Sequence, residues 1–318
     1  MSTKAKIRIG PLRRSEVAEA ARIARLAFGT FLGIPNPLEF LDDRDLVTPR
    51  WRSSNVKFVA AYDGDRLIGS NAATRWGSFG FFGPLTVLPE YWGRGVAQRL
   101  LEATMMVFEK WGVWQTGLCT FPNSPKHIGL YQKFGYWPQY LTPVMTRTPD
   151  TVPENVSAAP MLLSAQSGTQ REEILGACGR LTHKILRGLD LGDEMRSVLK
   201  LHIGDIALIF TRGTLDGFAV CMIGPGSEGG EKLCFVKIAA ARAGAGAGER
   251  FSRRLAAIDA FALSRGVSIE AGVNLAREDA FLRMRAHGYR IAMNLVAMQR
   301  PHTAGFNRPD VYVMDDWR

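Results

Sequence analysis

The sequence predicts an α/β (α+β) chain of two similar halves, and three observations carry that expectation. Strand-like and helix-like periodicities alternate along the chain, a strand runs through a glycine-rich turn straight into a long helix near residue 95, and the same order of elements returns after residue 160. At 318 residues the chain is too long for one average domain and comfortable for two. We expect domains at 1–147 and 161–300, a linker at 148–160 and a tail at 301–318.

The first half opens with IRIGPL, a short alternating strand, followed by EVAEAARIARLAF, whose apolar spacing and alanine content predict a helix. Gly29 to Glu39 mixes Gly, Pro and apolar residues and reads as a loop able to cover a ligand. VKFVAAY, DGD and RLIGSNAA spell strand, tight turn and strand, because an Asp-Gly pair supplies the positive backbone angles a hairpin needs. A further strand is expected from Leu85 to Leu88. In the helix starting at Val96, the residues Leu100, Leu101, Met105, Phe108 and Trp111 recur on a helical period, and Gly112 is the stop. VWQTGLCTF then predicts a strand, SPKHIGLYQKF a short helix and TPVMTRT a last strand. TPDTVPENVSAAP, with its three prolines and no apolar period, suits the linker.

The second half repeats the plan. IALIF, TRGTLDG and FAVCMI match the earlier hairpin, with Gly217 in the place of Gly69. FSRRLAAIDAFALSRG follows a Gly/Ala-rich loop as a helix, VSIEAGV is a strand, AREDAFLRMRAHGYR a helix and NLVAMQR a strand. The order of several elements, more than any single one, points to an internal duplication.

Composition narrows the function classes. With 46% hydrophobic and 22% charged residues the chain is globular, no stretch approaches the length of a membrane span, and MSTKAKIRIG lacks the apolar core of a secretory signal, so the expected location is the cytoplasm. Cys119, Cys178, Cys221 and Cys234 form no CxxC pair and the five histidines show no i, i+4 pairing, so no metal site is expected. The net charge of +10 lies mostly in the first 150 residues, where 19 Lys plus Arg face 12 Asp plus Glu. That balance admits nucleic acid, an acidic partner or a phosphorylated cofactor, but no run of Lys or Arg favours nucleic acid.

The chemistry concentrates between Leu85 and Tyr136. In LTVLPEYWGRGVA, Gly93 and Gly95 permit close backbone approach. The first turn of the helix leaves N–H groups unpaired, and its dipole favours negative charge, so the segment is suited to a pyrophosphate. Arg94 can add a charged contact. An ordinary strand-to-helix turn would look similar, but the basic residue between two glycines favours an anion site.

TVLPEYWGRGVAQRLL resembles the first motif of the GNAT N-acetyltransferases, in which a strand ending V-x-P leads into R/Q-x-x-G-x-G/A and a helix. Gly93, Arg94, Gly95, Val96 and Ala97 fit the turn, whereas Trp92 stands where the family carries Arg or Gln. NSPKHIGLYQKFGY resembles the second motif, N-x-x-A-x-x-L-Y-x-K-x-G-F, with His127 for Ala, Tyr136 for Phe, and Asn123 one residue early of the expected place, where Ser124 stands.

The resemblance implies a mixed, splayed central sheet flanked by helices in each half, and acetyl-CoA as co-substrate. It implies that Leu85 and Val87 line the pantetheine, and that the main chain of Trp92 and of Gly93 to Ala97 takes the pyrophosphate. Asn123 or Ser124 would contact the cofactor, and Tyr131 would protonate the departing thiolate. A general base is not singled out. Glu90 reads as solvated, Glu39, Asp42 and Asp43 follow the loop over the site, and the resemblance to tandem members of the family adds the carboxylate of Arg318; His127 is a secondary proton shuttle.

In the second half the V-x-P is absent, the Ala/Gly run departs from the turn's register, and Met284 falls where Tyr131 stands. That half is expected to have lost the chemistry, with Asn274 and Arg277 structural. The function expected is acetyl transfer to a small-molecule or peptide amine in a ternary complex. The alternatives are a non-catalytic acyl-CoA sensor and, on charge alone, a nucleic-acid-associated protein.

Overall fold

The computed structural model describes residues 7–150 and 160–318, so most of the expected linker, 151–159, lies outside the described residues. The first half runs β1 (Arg8–Pro11), α1 (Val17–Phe31), α2 (Thr48–Arg52), β2 (Val56–Asp63), β3 (Arg66–Trp76), β4 (Phe79–Phe82), β5 (Thr86–Val87), α3 (Val96–Trp111), β6 (Gln115–Thr120), α4 (Pro125–Gln132) and β7 (Trp137–Arg147). The second runs β8 (Met161–Leu162), α5 (Gly168–Ile185), α6 (Gly192–Leu201), β9 (Gly204–Thr211), β10 (Thr214–Gly224), β11 (Gly230–Ala241), α7 (Ala247–Leu263), β12 (Ser268–Gly272), α8 (Glu278–Ala286), β13 (Arg290–Arg300) and β14 (Val313–Met314).

Helix α1 forms because Val17, Ala20, Ile23, Ala24 and Ala27 repeat at three- and four-residue steps and are all buried. It extends to Phe31, so the loop expected from Gly29 begins as helix. Gly29 is needed there, since a Cβ would collide with the backbone of Pro37. In α3 the buried stripe is Val96, Leu100, Leu101, Thr104, Met105 and Phe108, and Thr104 is satisfied inside the core by the Asn71 amide at 2.8 Å. Gly112 ends the helix with φ 61°, a left-handed conformation that glycine adopts without strain. Leu100 and Leu101 are fully buried, each contributing about 2 kcal/mol to the packing of α3 on the sheet.

The strands form one 14-stranded sheet in the order β1-β2-β3-β4-β6-β13-β7-β12-β11-β10-β9-β8, with β5 on β3 and β14 on β11. The order is a palindrome. If β1, β2, β3, β4, β6 and β7 are matched with β8, β9, β10, β11, β12 and β13, the second half mirrors the first about the β13–β7 pair. The two halves do not carry separate sheets as anticipated. Instead β13 sits between β6 and β7, and β7 sits between β13 and β12, so the last strand of each half is held on both sides by strands of the other. Nothing in the local hydrophobic pattern of either strand specifies this exchange, because period-two alternation fixes a buried face but not a partner.

The tail is docked across the second half. Its strand β14 pairs with Ala239 and Ala240, and Trp317 is buried against Phe79, Phe306 and the backbone of Gly117, whose missing Cβ leaves room for the indole. Arg277 holds the tail from beneath, donating to the Val313 carbonyl at 2.7 Å and pairing with Asp315 at 2.7 Å.

Between the halves lies a buried charge network. Arg50 of α2 and Lys237 of β11 both donate to Glu228, at 2.9 and 3.0 Å, and both reach the main-chain oxygen of Arg318. Burial works against the Glu228 carboxylate, but Arg50 and Lys237 hold its pKa down to about 2. Among the described residues, no helix is long and apolar enough to cross a membrane, and no three His, Cys, Asp or Glu side chains gather as a metal would require.

Candidate active site

A cleft of about 600 Å³ opens between the end of α1, strand β5, the turn before α3 and the helix α4. Of the residues singled out in the sequence, Leu85, Val87, Trp92, Gly93, Gly95, Val96, Ala97 and Tyr131 line it. Arg94 does not line it, and its guanidinium lies over the Tyr91 ring at 5.0 Å. Asn123 is exposed and Ser124 is buried where α4 begins, so the lining starts at Pro125, one residue beyond Ser124.

The floor of the cleft is main chain. Gly93 and Gly95 adopt φ 75° and 77°, a conformation other residues enter only with strain, and Gly95 is the N-cap of α3. None of the N–H groups from Gly93 to Gln98 has an acceptor among the described residues. All of these residues but Arg94 line the cleft, at the positive end of a 16-residue helix. Trp92 departs from the expected pattern in a specific way, its indole N–H donating to the Val87 carbonyl at 2.8 Å while Lys126 sits 5.4 Å over the ring. The tryptophan thereby ties the turn to the strand below it and brings a cation to the mouth of the cleft.

Comparison of the two halves shows which edges are open. Gly69 pairs with Val87 and Gly217 with Ala241. In both places a Cβ would lie 2.6 Å from a carbonyl oxygen of the neighbouring strand, that of Thr86 in one case and of Ala240 in the other. Thr86 and Val87 therefore correspond to Ala240 and Ala241. In the second half the outer edge of this strand is covered by β14 and by the Tyr312 carbonyl. In the first half the same edge lines the cleft, and the buried hydroxyl of Thr86 has no partner among the described residues.

The second turn is better preserved than its sequence suggests. Gly244 and Gly246 have φ 93° and 75°, and Gly246 caps α7 as Gly95 caps α3. The expectation that the register is lost is corrected: the backbone of the turn persists, and what fills its surroundings is the tail strand and Arg283, whose guanidinium packs 2.6 Å from where a Cβ of Gly248 would lie. The helices α4 and α8 are followed by the same closing hydrogen bond. The N–H of Tyr136 bonds the carbonyl of Tyr131 at 3.2 Å, and that of Tyr289 bonds the carbonyl of Met284 at 3.0 Å.

Tyr131 is nearly buried, and burial pushes its hydroxyl well above the ordinary phenol range, so it is protonated throughout the neutral region. His127, one turn earlier on the same helix, is half-buried, and its Nδ1 has no partner among the described residues. Burial, aided by Lys126, lowers its pKa and favours the neutral ring. The acidic residues considered as bases are engaged elsewhere. Glu39 accepts from Asn36, Asp42 pairs with Lys232, Asp43 accepts the N–H of Glu231 at 2.6 Å, and Glu90 pairs with Arg66 on the surface. Asn274 and Arg277 are structural as expected, the one bonding Thr142 and the N–H of Ala276, the other holding the tail.

The sequence profile of the Acetyltransferase (GNAT) family matches residues 22–136. Among solved structures, a protein assigned as an acetyltransferase of Pyrococcus horikoshii is 14% identical with a TM-score of 0.66, over 98% of this chain and 95% of that one. A fungal multi-domain β-N-acetylglucosaminidase bearing a GCN5-related glucosamine N-acetyltransferase region is 14% identical with a TM-score of 0.64, over 93% of this chain and 38% of that one. A GCN5-related N-acetyltransferase of Sphaerobacter thermophilus is 13% identical with a TM-score of 0.55, over 92% and 95%. Comparison with curated protein sequences finds no match. The open turn and strand edge lie within the matched segment, and the fold of both halves is shared with these structures: residues 22–136 are a GNAT-family acetyltransferase domain.

Proposed function

We propose that the chain transfers an acetyl group from acetyl-CoA to an amine, directly and within a ternary complex, at one active site in the half spanning 1–147. The half spanning 161–300 serves as scaffold, and the protein works in the cytoplasm. The observation that carries this reading is the asymmetry between the two strand edges: the chain's own tail strand covers Ala239–Ala241, while Leu85–Val87 lines the cleft with its Val87 carbonyl capped by the Trp92 indole, beside unpaired N–H groups and the unpartnered Thr86 hydroxyl.

Acetyl-CoA supplies an acyl group activated as a thioester. The N–H groups from Gly93 to Ala97 suit a pyrophosphate, and the strand edge at Leu85 and Val87 that lines the cleft suits an extended amide-bearing arm, which would meet the Val87 carbonyl only by displacing the Trp92 indole. Tyr131, whose phenol lines the cleft one helical turn beyond His127, can give its proton to the departing sulfur. Calorimetric titration with acetyl-CoA and an assay of thiol release test the reading together. A protein that fails to bind acetyl-CoA, or whose binding survives loss of the Gly93–Gly95 turn, is not working this way. Binding without thiol release to any amine would point to an acyl-CoA sensor.

A further inference from the structure

We propose that Trp92 is a built-in competitor of the cofactor: its indole holds the place on the Val87 carbonyl that an amide of acetyl-CoA takes, and binding exchanges one N–H donor for the other. This rests on the acetyl-transfer reading and deepens it to a residue that sets cofactor affinity.

The register of β5 decides which of its groups face the cleft. Val87 lies opposite Gly69, and Leu88 donates to the Ile68 carbonyl at 2.9 Å. Hydrogen-bonded and non-bonded pairs alternate along an antiparallel ladder, so both the N–H and the C=O of Val87 turn away from β3. The second half shows a chain in the corresponding place: the N–H of Ala241, the counterpart of Val87, donates to the Tyr312 carbonyl at 3.0 Å. In the first half no chain lies there, and Val87 lines the cleft. An extended arm carrying amides finds a donor and an acceptor side by side, as an added strand does. The acceptor is already taken, by the indole N–H of Trp92 at 2.8 Å.

Two outcomes are open to an arriving arm. If the indole stays, the arm's N–H beside Val87 is buried without an acceptor, which costs more than a formed bond contributes. If the indole leaves, one N–H···O bond breaks and an equivalent one forms, so the exchange is close to neutral. Departure is easy for this side chain. It is 37% exposed, lines the cleft itself, and carries over its ring the flexible side chain of Lys126. A competitor of this kind reduces affinity by the fraction of time the carbonyl is occupied, and only for ligands that bear the arm. 3′-Phospho-ADP, the cofactor without its pantetheine, needs the Gly93–Gly95 turn and not Val87.

The test uses the full chain. The indole N–H resonance of Trp92 is assigned in the parent protein and checked by its disappearance in Trp92→Phe, and its exchange with water is followed by NMR as either ligand is added. We expect protection in the free protein, loss of protection with saturating acetyl-CoA, and protection kept with 3′-phospho-ADP. Trp92→Phe retains a ring and removes the donor. By calorimetry it should lower the Kd for acetyl-CoA about fivefold and leave that for 3′-phospho-ADP unchanged. An indole N–H still protected in the acetyl-CoA complex overturns the proposal, as does a folded Trp92→Phe protein that binds acetyl-CoA no more tightly than the parent. Failure of acetyl-CoA to bind the parent protein would instead remove the acetyl-transfer reading beneath it.

Discussion

Tyr131 and Met284 occupy the same turn of equivalent helices, each five residues before a fully buried tyrosine whose N–H bonds its carbonyl, and only one of them carries a hydroxyl. Replacing Tyr131 by Phe keeps the ring packed on Phe82 and removes the proton, so kcat should fall by about 10² while acetyl-CoA affinity holds. Thiol release and calorimetry read the two effects separately. An unchanged kcat would remove Tyr131 from the chemistry.

The paired turns allow a controlled test of cofactor binding. Nothing lies within 4 Å of a Cβ placed on Gly95, so Gly95→Ala acts through its positive φ alone. Both Gly95→Ala and Gly246→Ala should cost about 1–2 kcal/mol in urea unfolding. Only the first should raise the Kd for acetyl-CoA. Equal effects on affinity would contradict a single site.

Glu228 makes stability depend on acid in a definite direction. Its folded pKa is about 2 against an ordinary 4.5, so its contribution is complete above pH 4.5 and is lost as pH falls towards 2. The shift corresponds to about 3 kcal/mol. Glu228→Gln should destabilise the protein by about 3–5 kcal/mol at pH 7, because Arg50 and Lys237 are left buried without a counter-charge. Denaturant unfolding across pH 2–7 checks both, and the variant should lose the share of the acid dependence that Glu228 contributes, while Asp216 and Glu270, also held low by arginines, keep theirs.

The exchanged strands predict how the protein comes apart. Neither 1–150 nor 160–318 should fold by itself, since each lacks the strand that closes its sheet and exposes two long unpaired edges. Co-expressed, the two fragments should associate into a soluble complex. Independent folding of either, read by amide exchange, would show that the exchange is dispensable.

What could be read from the sequence was local in origin. The turn at Gly93–Gly95, the stop at Gly112 and the placement of Tyr131 each depend on residues within one strand, turn or helix, where dihedral preference and periodicity act directly. The repeat was legible because the same order of strand, turn and helix returns in the second half, with Gly217 in the place of Gly69. The exchange of β7 and β13 was not, nor was the Arg50–Glu228 pair across 178 positions, because neither leaves a periodic trace. Helix α5, whose three glycines and many charges blur the apolar stripe, also went unread, and so did the ten-residue α6, although its Met195 and Val198 fall on one buried face. The second turn was misjudged because alanine and glycine there hide a retained backbone, and the covering strand β14 lies some 70 residues further on.

The palindromic sheet bears on how such a chain can change over generations. A chain of two similar halves could ordinarily lose one of them, yet here each half supplies a strand on which the closure of the other depends. A change at Met284, the counterpart of Tyr131, would leave the strands in place, whereas a deletion of that half would take β12 and β13 away from β7 and β6. The half spanning 161–300 is therefore tied in by architecture, whatever its own chemistry, and its surface is freer to vary than its strands.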